Sequence, residues 1–276
     1  MKLKEALYFL GFKPKSQSYE HKIKSFDLPD DGEVFYAQWL HPKESEKTIE
    51  QEAVNELRKF LAPGDAALDI GAHTGDTALP MALAVGKSGC VFALEPNKYV
   101  FPVLRKNAEL NTDKTNIVPL MFAATESDGE FEFSYSDNGF CNGGFHANES
   151  VWRHAHTFKL KVAGKNLLNY LRENYADLIP KIRFIKVDAE GFDYQVLKTL
   201  EDLIGANKPF VKAEVYKNTT LAGREQLYKF LTDYGYEIFY VESETNYRGR
   251  LIKKENLNDW KHYDIFCVPQ KKANDK

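Results

Sequence analysis

One segment of the chain, residues 68–96, restricts the possible folds more than any other. An apolar run ends in Asp69-Ile70-Gly71, a turn follows through Gly75, and a second apolar run, Cys90–Leu94, ends at Glu95. This order of strand, glycine turn, helix, strand and acidic residue is typical of a βαβ unit that binds a nucleoside. Glu95 follows Gly71 by 95 − 71 = 24 residues, close to the spacing of about 20 at which a carboxylate binds ribose hydroxyls. We therefore expect an α/β fold with a nucleoside site at Glu95.

The spacing of the glycines indicates which nucleoside cofactor fits. A dinucleotide site needs G-x-G-x-x-G, so that a pyrophosphate can approach bare backbone at a helix N-terminus. Here His73 stands in place of the middle glycine, and Asp69 precedes the turn. A carboxylate at that point repels a pyrophosphate but accepts hydrogen bonds from an ammonium group. The pattern favours S-adenosylmethionine over a nicotinamide cofactor, because S-adenosylmethionine has a ribose and an ammonium group but no phosphate. A plain strand-turn-helix with incidental glycines is the alternative.

Composition narrows the class of protein. The 276 residues suffice for one or two domains, and 43% of them are hydrophobic, which allows a sizeable core. A net charge of −3 argues against a nucleic-acid-binding surface, which usually has a clear basic excess. The three cysteines lack the spacing of a metal site. No apolar run reaches the 18 residues of a transmembrane helix, and the N-terminus lacks the apolar core of a signal peptide. We expect a reduced, soluble, cytoplasmic protein with no membrane partner.

Strands and helices alternate along most of the chain, which predicts a parallel sheet. Thr48 and Gln51 have the spacing of a capping box and predict a helix that starts at Thr48. The predicted strands are Ala66–Ile70, Cys90–Leu94, Ile117–Ala124, Glu130–Tyr135, Phe158–Val162, Arg183–Asp188, Phe210–Tyr216, Tyr236–Val241 and Tyr263–Val268, and a helix is predicted over Tyr194–Leu203. The predicted organisation is an N-terminal extension (1–47), one domain (48–270) and a frayed tail (271–276).

A second group of charged residues follows the predicted strand Arg183–Asp188. Asp188 and Glu190 come at its carboxyl end, where ligands of open α/β sheets bind, and Glu214 comes near the same end of the next strand. A carboxylate here can accept a hydroxyl proton or bind a divalent cation such as magnesium. A structural ion-pair network is the alternative interpretation.

The polar segment Ser136–His156 supplies rival general bases. His146, His154 and His156 lie in or beside it, and an unperturbed imidazole titrates near pH ~6.5. Aromatic residues beside amides in this segment suit a lid over a sugar, since long loops of this kind are often functional. An ordinary surface loop is the alternative.

These residues together resemble the FkbM-type family of S-adenosylmethionine-dependent methyltransferases. The resemblance covers about residues 60–240. Three blocks carry it: Asp69–Gly75, then Phe92–Asn97 continuing to Leu104, Asn107 and Asn111, and then Ile185–Gly191 running on to Pro209 and Glu214. It implies a class I methyltransferase (Rossmann-like) fold, with a mostly parallel seven-stranded sheet and helices on both faces. It also implies methyl transfer to a hydroxyl of a sugar, glycan or natural-product acceptor.

The resemblance also implies roles for individual residues. Asp69, Gly71 and Gly75 would border the methionine part of the cofactor, Glu95 would bind the ribose, and Ala123 or Ala124 would lie near the adenine. The predicted cofactor-binding residues are Asp69, Gly71, Ala72, His73, Gly75, Thr77, Glu95, Pro96, Ala123, Ala124 and Asp188. The predicted catalytic residues are Asp188, Glu190 and His146.

Three rival functions stay open at this stage. A nucleic-acid methyltransferase is disfavoured, because Asp188-Ala189-Glu190-Gly191 stands where base methylases carry an Asn/Asp-Pro-Pro-aromatic turn. The other rivals are a methyltransferase acting on another kind of small molecule and a non-catalytic nucleoside-binding module of the same fold. The sequence leaves the oligomeric state open, with a dimer as one option.

Overall fold

The structure is a computed structural model that describes residues 15–139, 143–144 and 158–270. Its strands are β1 His21–Leu28, β2 Gly32–Trp39, β3 Ala66–Ile70, β4 Cys90–Leu94, β5 Ile117–Leu120, β6 Ala123–Ala124, β7 Gly129–Tyr135, β8 Gly143–Gly144, β9 Phe158–Lys165, β10 Ile182–Val187, β11 Phe210–Val215, β12 Tyr236–Tyr240 and β13 Tyr263–Pro269. Its α-helices are α1 Gln51–Leu57, α2 Ala78–Val85, α3 Phe101–Leu110, α4 Leu167–Asn174, α5 Asp193–Thr199, α6 Glu201–Asn207 and α7 Leu221–Asp233. Short 3₁₀ turns cover Ala176–Lys181 and Lys254–Asn256.

The main sheet has seven strands in the order β12-β13-β11-β10-β3-β4-β5. Only β13 runs against the others, since it pairs antiparallel with both β11 and β12. The prediction of a mostly parallel seven-stranded sheet is therefore confirmed. The strand order reverses beside β3, so the carboxyl ends of β3, β4 and β10 border the crevice in which such sheets bind ligands.

Helices cover both faces of this sheet, as the alternation along β3 requires. Leu68 and Ile70 pack into a core that includes residues of α4, α5, α6 and α7. Ala67 faces the opposite core, together with Leu57 of α1 and Met81 of α2. Both faces of β3 are buried, which explains why all its residues except Asp69 are apolar.

Three predicted elements differ from the structure. The predicted strand Ile117–Ala124 is divided, because the chain leaves the main sheet after β5 and pairs as β6 with β9 in a second sheet. The predicted helix Tyr194–Leu203 is broken at Leu200 into α5 and α6. Helix α1 begins at Gln51 without a side-chain cap, and the capping box is wrong because Gln51 instead accepts the Asp30 N–H (2.8 Å).

The second sheet has the order β6-β9-β7-β8 and stands beside the crevice. The strict alternation of β7 divides its side chains between two faces. Phe131, Phe133 and Tyr135 line the crevice. On the other face, Glu130 and Glu132 pair with lysines of β9.

The N-terminal hairpin, β1 with β2, docks onto α3 through two asparagines. Asn107 accepts the Ala37 N–H (2.5 Å) and donates to the Ala37 carbonyl (3.1 Å). Asn111 makes the same pair of bonds with Phe35 (2.9 and 2.8 Å). The two amides thus pair with β2 as a neighbouring strand would. No described helix is both long and apolar enough to cross a membrane.

Candidate active site

An open pocket of about 910 Å³ lies at the carboxyl ends of β3, β4, β10 and β11. Most of the predicted cofactor residues that the structure describes line it, namely Gly71, His73, Thr77, Glu95, Pro96, Ala123, Ala124 and Asp188, together with the predicted catalytic residue Glu190. Asp69, Ala72 and Gly75 are buried just behind this wall. His146 lies outside the described residues, as do His154, His156 and the tail 271–276.

The glycine turn after β3 is shaped by close backbone contacts. Gly71 has φ +78°, and a Cβ there would lie 2.1 Å from the carbonyl oxygen of Asp188. Gly75 has φ +91°, and a Cβ there would lie 2.9 Å from Leu104 on α3. His73 also adopts a left-handed conformation, with φ +48°, which histidine tolerates better than most residues. The turn therefore keeps the backbone of a glycine motif although its middle glycine is a histidine.

Glu95 lies in the pocket wall, where its carboxylate accepts two backbone N–H groups. Its Oε2 accepts the His73 N–H (3.0 Å) and its Oε1 accepts the Asn97 N–H (2.8 Å). Burial raises the pKa of Glu95, while His73 and the two N–H donors oppose this rise. Each carboxylate oxygen has a second lone pair. The group therefore has the capacity to accept two hydroxyls, as ribose recognition requires.

Asp69 and Lys186 form a buried support beneath the turn. Asp69 Oδ2 accepts the Thr77 hydroxyl (2.6 Å), and its Oδ1 lies 3.4 Å from Lys186 Nζ. Lys186 also donates to the Gly71 carbonyl (2.8 Å) and lies 3.5 Å from Asp188 Oδ2. Burial lowers the pKa of Lys186, but the carboxylates of Asp69 and Asp188 outweigh burial and raise it. The lysine is therefore a fixed cation that links the glycine turn to Asp188.

The carboxylates after β10 and β11 differ in exposure. The Asp188 side chain is 45% exposed and borders the pocket, whereas Asp193 is buried and accepts the N–H groups of Glu214 and Gly191. Burial, with the nearby Asp188 charge, raises the pKa of Asp193 to about 8. The same two causes raise the pKa of Glu214 to about 9. At neutral pH, Asp193 and Glu214 are therefore largely protonated.

The carboxylates described at this edge of the main sheet do not form a metal site. Among the described residues, no three His, Cys, Asp or Glu side chains are grouped so that they could hold a metal ion. The ion-pair interpretation accounts for part of this group of carboxylates, since Asp188 faces Lys186. The predicted magnesium site has no counterpart in the described residues.

Two groups of pocket residues were not named among the predicted site residues. The first is the N-terminal arm, residues 41–47, of which Lys43, Glu44, Ser45 and Lys47 line the pocket. The second surrounds Lys212 of β11, which lies in register with Lys186 and pairs with Glu244 (2.5 Å). A signal for Lys212 does exist in the sequence, because Lys212-Ala213-Glu214 repeats the pattern Lys186-Val187-Asp188 on the adjacent strand.

Strand order, glycine turn and pocket together define the class I fold of S-adenosylmethionine-dependent methyltransferases. S-adenosylmethionine is the cofactor of this fold, and the pocket suits it in having a carboxylate at the tip of β4 and small residues after β5. The Methyltransferase FkbM domain family matches residues 69–238. The chain belongs to this family and is an S-adenosylmethionine-dependent methyltransferase.

Solved structures with similar folds have low sequence identity to the chain. Methyltransferase FkbM from Methylobacillus flagellatus is 17% identical, with a TM-score of 0.43, over 75% of this chain and 44% of its own. An S-adenosylmethionine-dependent O-methyltransferase from Thermotoga maritima is 14% identical, with a TM-score of 0.42, over 88% and 77%. Aeropyrum pernix fibrillarin, solved with bound S-adenosylmethionine, is 14% identical, with a TM-score of 0.44, over 92% and 97%. The chain thus spans less than half the length of the M. flagellatus protein. No curated protein matches the chain in sequence.

Proposed function

We propose that the protein transfers a methyl group to a hydroxyl of a sugar, glycan or natural-product acceptor. The observation that carries the proposal is the position of Asp188, which borders the same pocket as Glu95 and exposes its carboxylate there. A base that takes a hydroxyl proton must reach the acceptor beside the cofactor. We assign this role to Asp188 because it lines the pocket and is partly exposed there.

The size of the pocket supports binding of two molecules. Ligand pockets usually measure about 300–1,000 Å³, and this one is near the upper end of that range at about 910 Å³. Cofactor and acceptor can therefore occupy it side by side, which is the arrangement that direct transfer requires.

The lining of the pocket supports a neutral, ring-shaped acceptor. Phe131, Phe133 and Tyr135 of β7 line the pocket, as do Phe192 and Tyr194 on the segment after β10. Aromatic faces of this kind pack against the apolar faces of sugar and polyketide rings. Eight carboxylates and five lysines line the pocket, an excess of negative charge that disfavours a phosphate-bearing acceptor such as nucleic acid.

The proposed roles follow from these positions. Bound S-adenosylmethionine supplies an activated methyl group. Glu95 would bind the ribose hydroxyls, and Ala123 with Ala124 would border the adenine. Asp188 would take the hydroxyl proton, and Lys186 would hold that carboxylate in place from beneath. Glu190, which also lines the pocket, would orient the acceptor.

The test is transfer of radiolabelled methyl groups to a panel of neutral glycosides and hydroxylated aromatic compounds. Asp188→Asn should lower turnover by about 10²–10⁴-fold, the usual contribution of a general base, while affinity for S-adenosylhomocysteine stays near that of the wild type. Asp233→Asn, at an exposed ion pair on α7, is the matched control and should leave turnover unchanged. Unchanged turnover in Asp188→Asn, or transfer only to amines or nucleic acid, would contradict the proposal.

A further inference from the structure

The family domain begins at residue 69, yet the pocket wall includes residues that precede it. The N-terminal arm contributes Lys43, Glu44, Ser45 and Lys47 to the wall. These residues face the same pocket as His73, Asp76 and Thr77 of the glycine turn. Part of the cofactor end is thus built by chain outside the family domain.

Lys47 is held against the glycine turn by two carboxylates. Its Nζ lies 2.8 Å from Asp76 Oδ2 and 3.3 Å from Glu44 Oε1, and its side chain is 25% exposed. Burial lowers the pKa of Lys47, but the charges of Asp76 and Glu44 outweigh burial and raise it. An ammonium group has three N–H donors. Two of them serve these carboxylates, which leaves one for a ligand in the pocket.

Hydrogen bonds through β2 connect the arm to the glycine turn. The Tyr36 hydroxyl of β2 is hydrogen-bonded to the Thr74 hydroxyl (2.6 Å), and both groups are buried. Asn107 of α3 donates to the Thr74 carbonyl (2.7 Å) and also binds Ala37 of β2. The Lys47 N–H in turn donates to the Gln38 side chain (2.7 Å). These contacts set the position of Lys47 relative to the turn.

The other lysines that line the pocket have different partners. Lys186 is surrounded by Asp69, Asp188 and the Gly71 carbonyl. Lys198 and Lys212 pair with Glu201 and Glu244. Lys43 pairs with Asp137 and its side chain is 48% exposed. Of the described lysines that line the pocket, Lys47 is the one that pairs with a carboxylate of the glycine turn, that of Asp76.

We propose that Lys47 binds the carboxylate of the methionine portion of S-adenosylmethionine, so that the N-terminal arm completes the cofactor site. The methionine tail is a zwitterion, and the turn-side wall offers it charges of both signs. Lys47 supplies the cation for its carboxylate, and Glu44 and Asp76 supply anions near its ammonium group. This inference concerns cofactor binding alone and does not depend on the acceptor.

The test compares three ligands by calorimetric titration. S-adenosylhomocysteine has the whole tail, its decarboxylated analogue lacks only the carboxylate, and 5′-methylthioadenosine lacks the whole amino-acid tail. Lys47→Met should weaken S-adenosylhomocysteine binding by about 10- to 100-fold, the usual range for a charge-assisted hydrogen bond. The affinities for the other two ligands should stay within about twofold of wild type, because neither has a carboxylate.

The matched control is Lys24→Met. Lys24 donates to the Lys47 carbonyl (2.9 Å) and pairs with Glu46 but does not line the pocket, so this variant should bind all three ligands as the wild type does. Lys47→Arg keeps the charge and should retain most of the preference for S-adenosylhomocysteine over methylthioadenosine.

Two results would overturn the proposal. One is an equal loss of affinity for S-adenosylhomocysteine and methylthioadenosine in Lys47→Met, which is what a purely structural role predicts. The other needs no variant: wild-type protein that binds the decarboxylated analogue as tightly as S-adenosylhomocysteine has no carboxylate subsite at all.

Discussion

At the scale of single residues, the burial of Glu214 has a measurable consequence for stability. Its ordinary pKa is 4.5, and burial together with Asp188 raises the pKa to about 9 in the folded protein. Between these two values the folded state binds more protons than the unfolded state. The free energy of unfolding therefore falls as pH rises from about 4.5 to about 9. Above that range the protonated Glu214 no longer contributes to stability.

Glu214→Gln removes this titration and should flatten the decline. Urea denaturation at pH 6 and pH 9 measures it: the variant should lose less stability than the wild type between the two pH values. Glu225→Gln, at an exposed position of α7 that pairs with Lys254, should follow the wild-type curve. Parallel curves for wild type and Glu214→Gln would show that the carboxyl is not buried as described.

Several site residues could be predicted because they follow strands. Glu95 and Asp188 end parallel strands that share one edge, so the chain order alone places them at one crevice. The position of the Asp69 side chain was harder to predict, because it is buried beside Thr77 and Lys186 rather than exposed in the pocket. Lys47 was missed because its neighbour Asp76 is 76 − 47 = 29 residues away, and no local pattern links them.

At the scale of elements, the contact between the N-terminal hairpin and α3 depends on Asn107. This buried amide bonds the Ala37 N–H, the Ala37 carbonyl and the Thr74 carbonyl. Asn107→Ala leaves these three buried backbone groups without the amide, and each such group costs about 1–3 kcal/mol. We expect a loss of about 3 kcal/mol or more in the free energy of unfolding, measured by urea denaturation.

Asn174→Ala is the control for this prediction. Asn174 makes one exposed bond to the Tyr170 carbonyl (2.8 Å), so the change should cost well under about 1 kcal/mol. A loss in Asn107→Ala as small as that of the control would mean that β2 is not held through this amide.

Element boundaries were predictable for strands that are buried on both faces. Ala66–Ile70 and Cys90–Leu94 agree residue for residue with β3 and β4, because a short apolar run buried on both faces has sharp ends. The start of α1 was wrong because Gln51 bonds Asp30, a partner on the β1–β2 turn that capping rules do not consider. The division between β5 and β6 likewise depends on β9, about 40 residues later in the chain.

At the scale of the whole molecule, the strand order of the main sheet could be predicted from the family and from the alternation of strands and helices. The packing of residues 15–47 against the rest of the chain could not. The sequence predicted an N-terminal extension, residues 1–47, that precedes one domain, residues 48–270. In the structure, Val34 and residues 36–39 of that extension are buried, and the arm lines the pocket. We therefore propose that residues 15–47 fold together with the domain and act as part of its cofactor site.

The central claim is that this pocket binds S-adenosylmethionine with Glu95 at its nucleoside end. The most direct test is calorimetric titration of S-adenosylhomocysteine into wild-type protein and into Glu95→Gln. The wild type should bind one equivalent with micromolar affinity. The variant should bind about 10- to 100-fold more weakly, because hydrogen bonds to a charged group contribute about 1.5–3 kcal/mol. Wild-type protein that does not bind the ligand, or a variant that binds it equally well, would contradict the account.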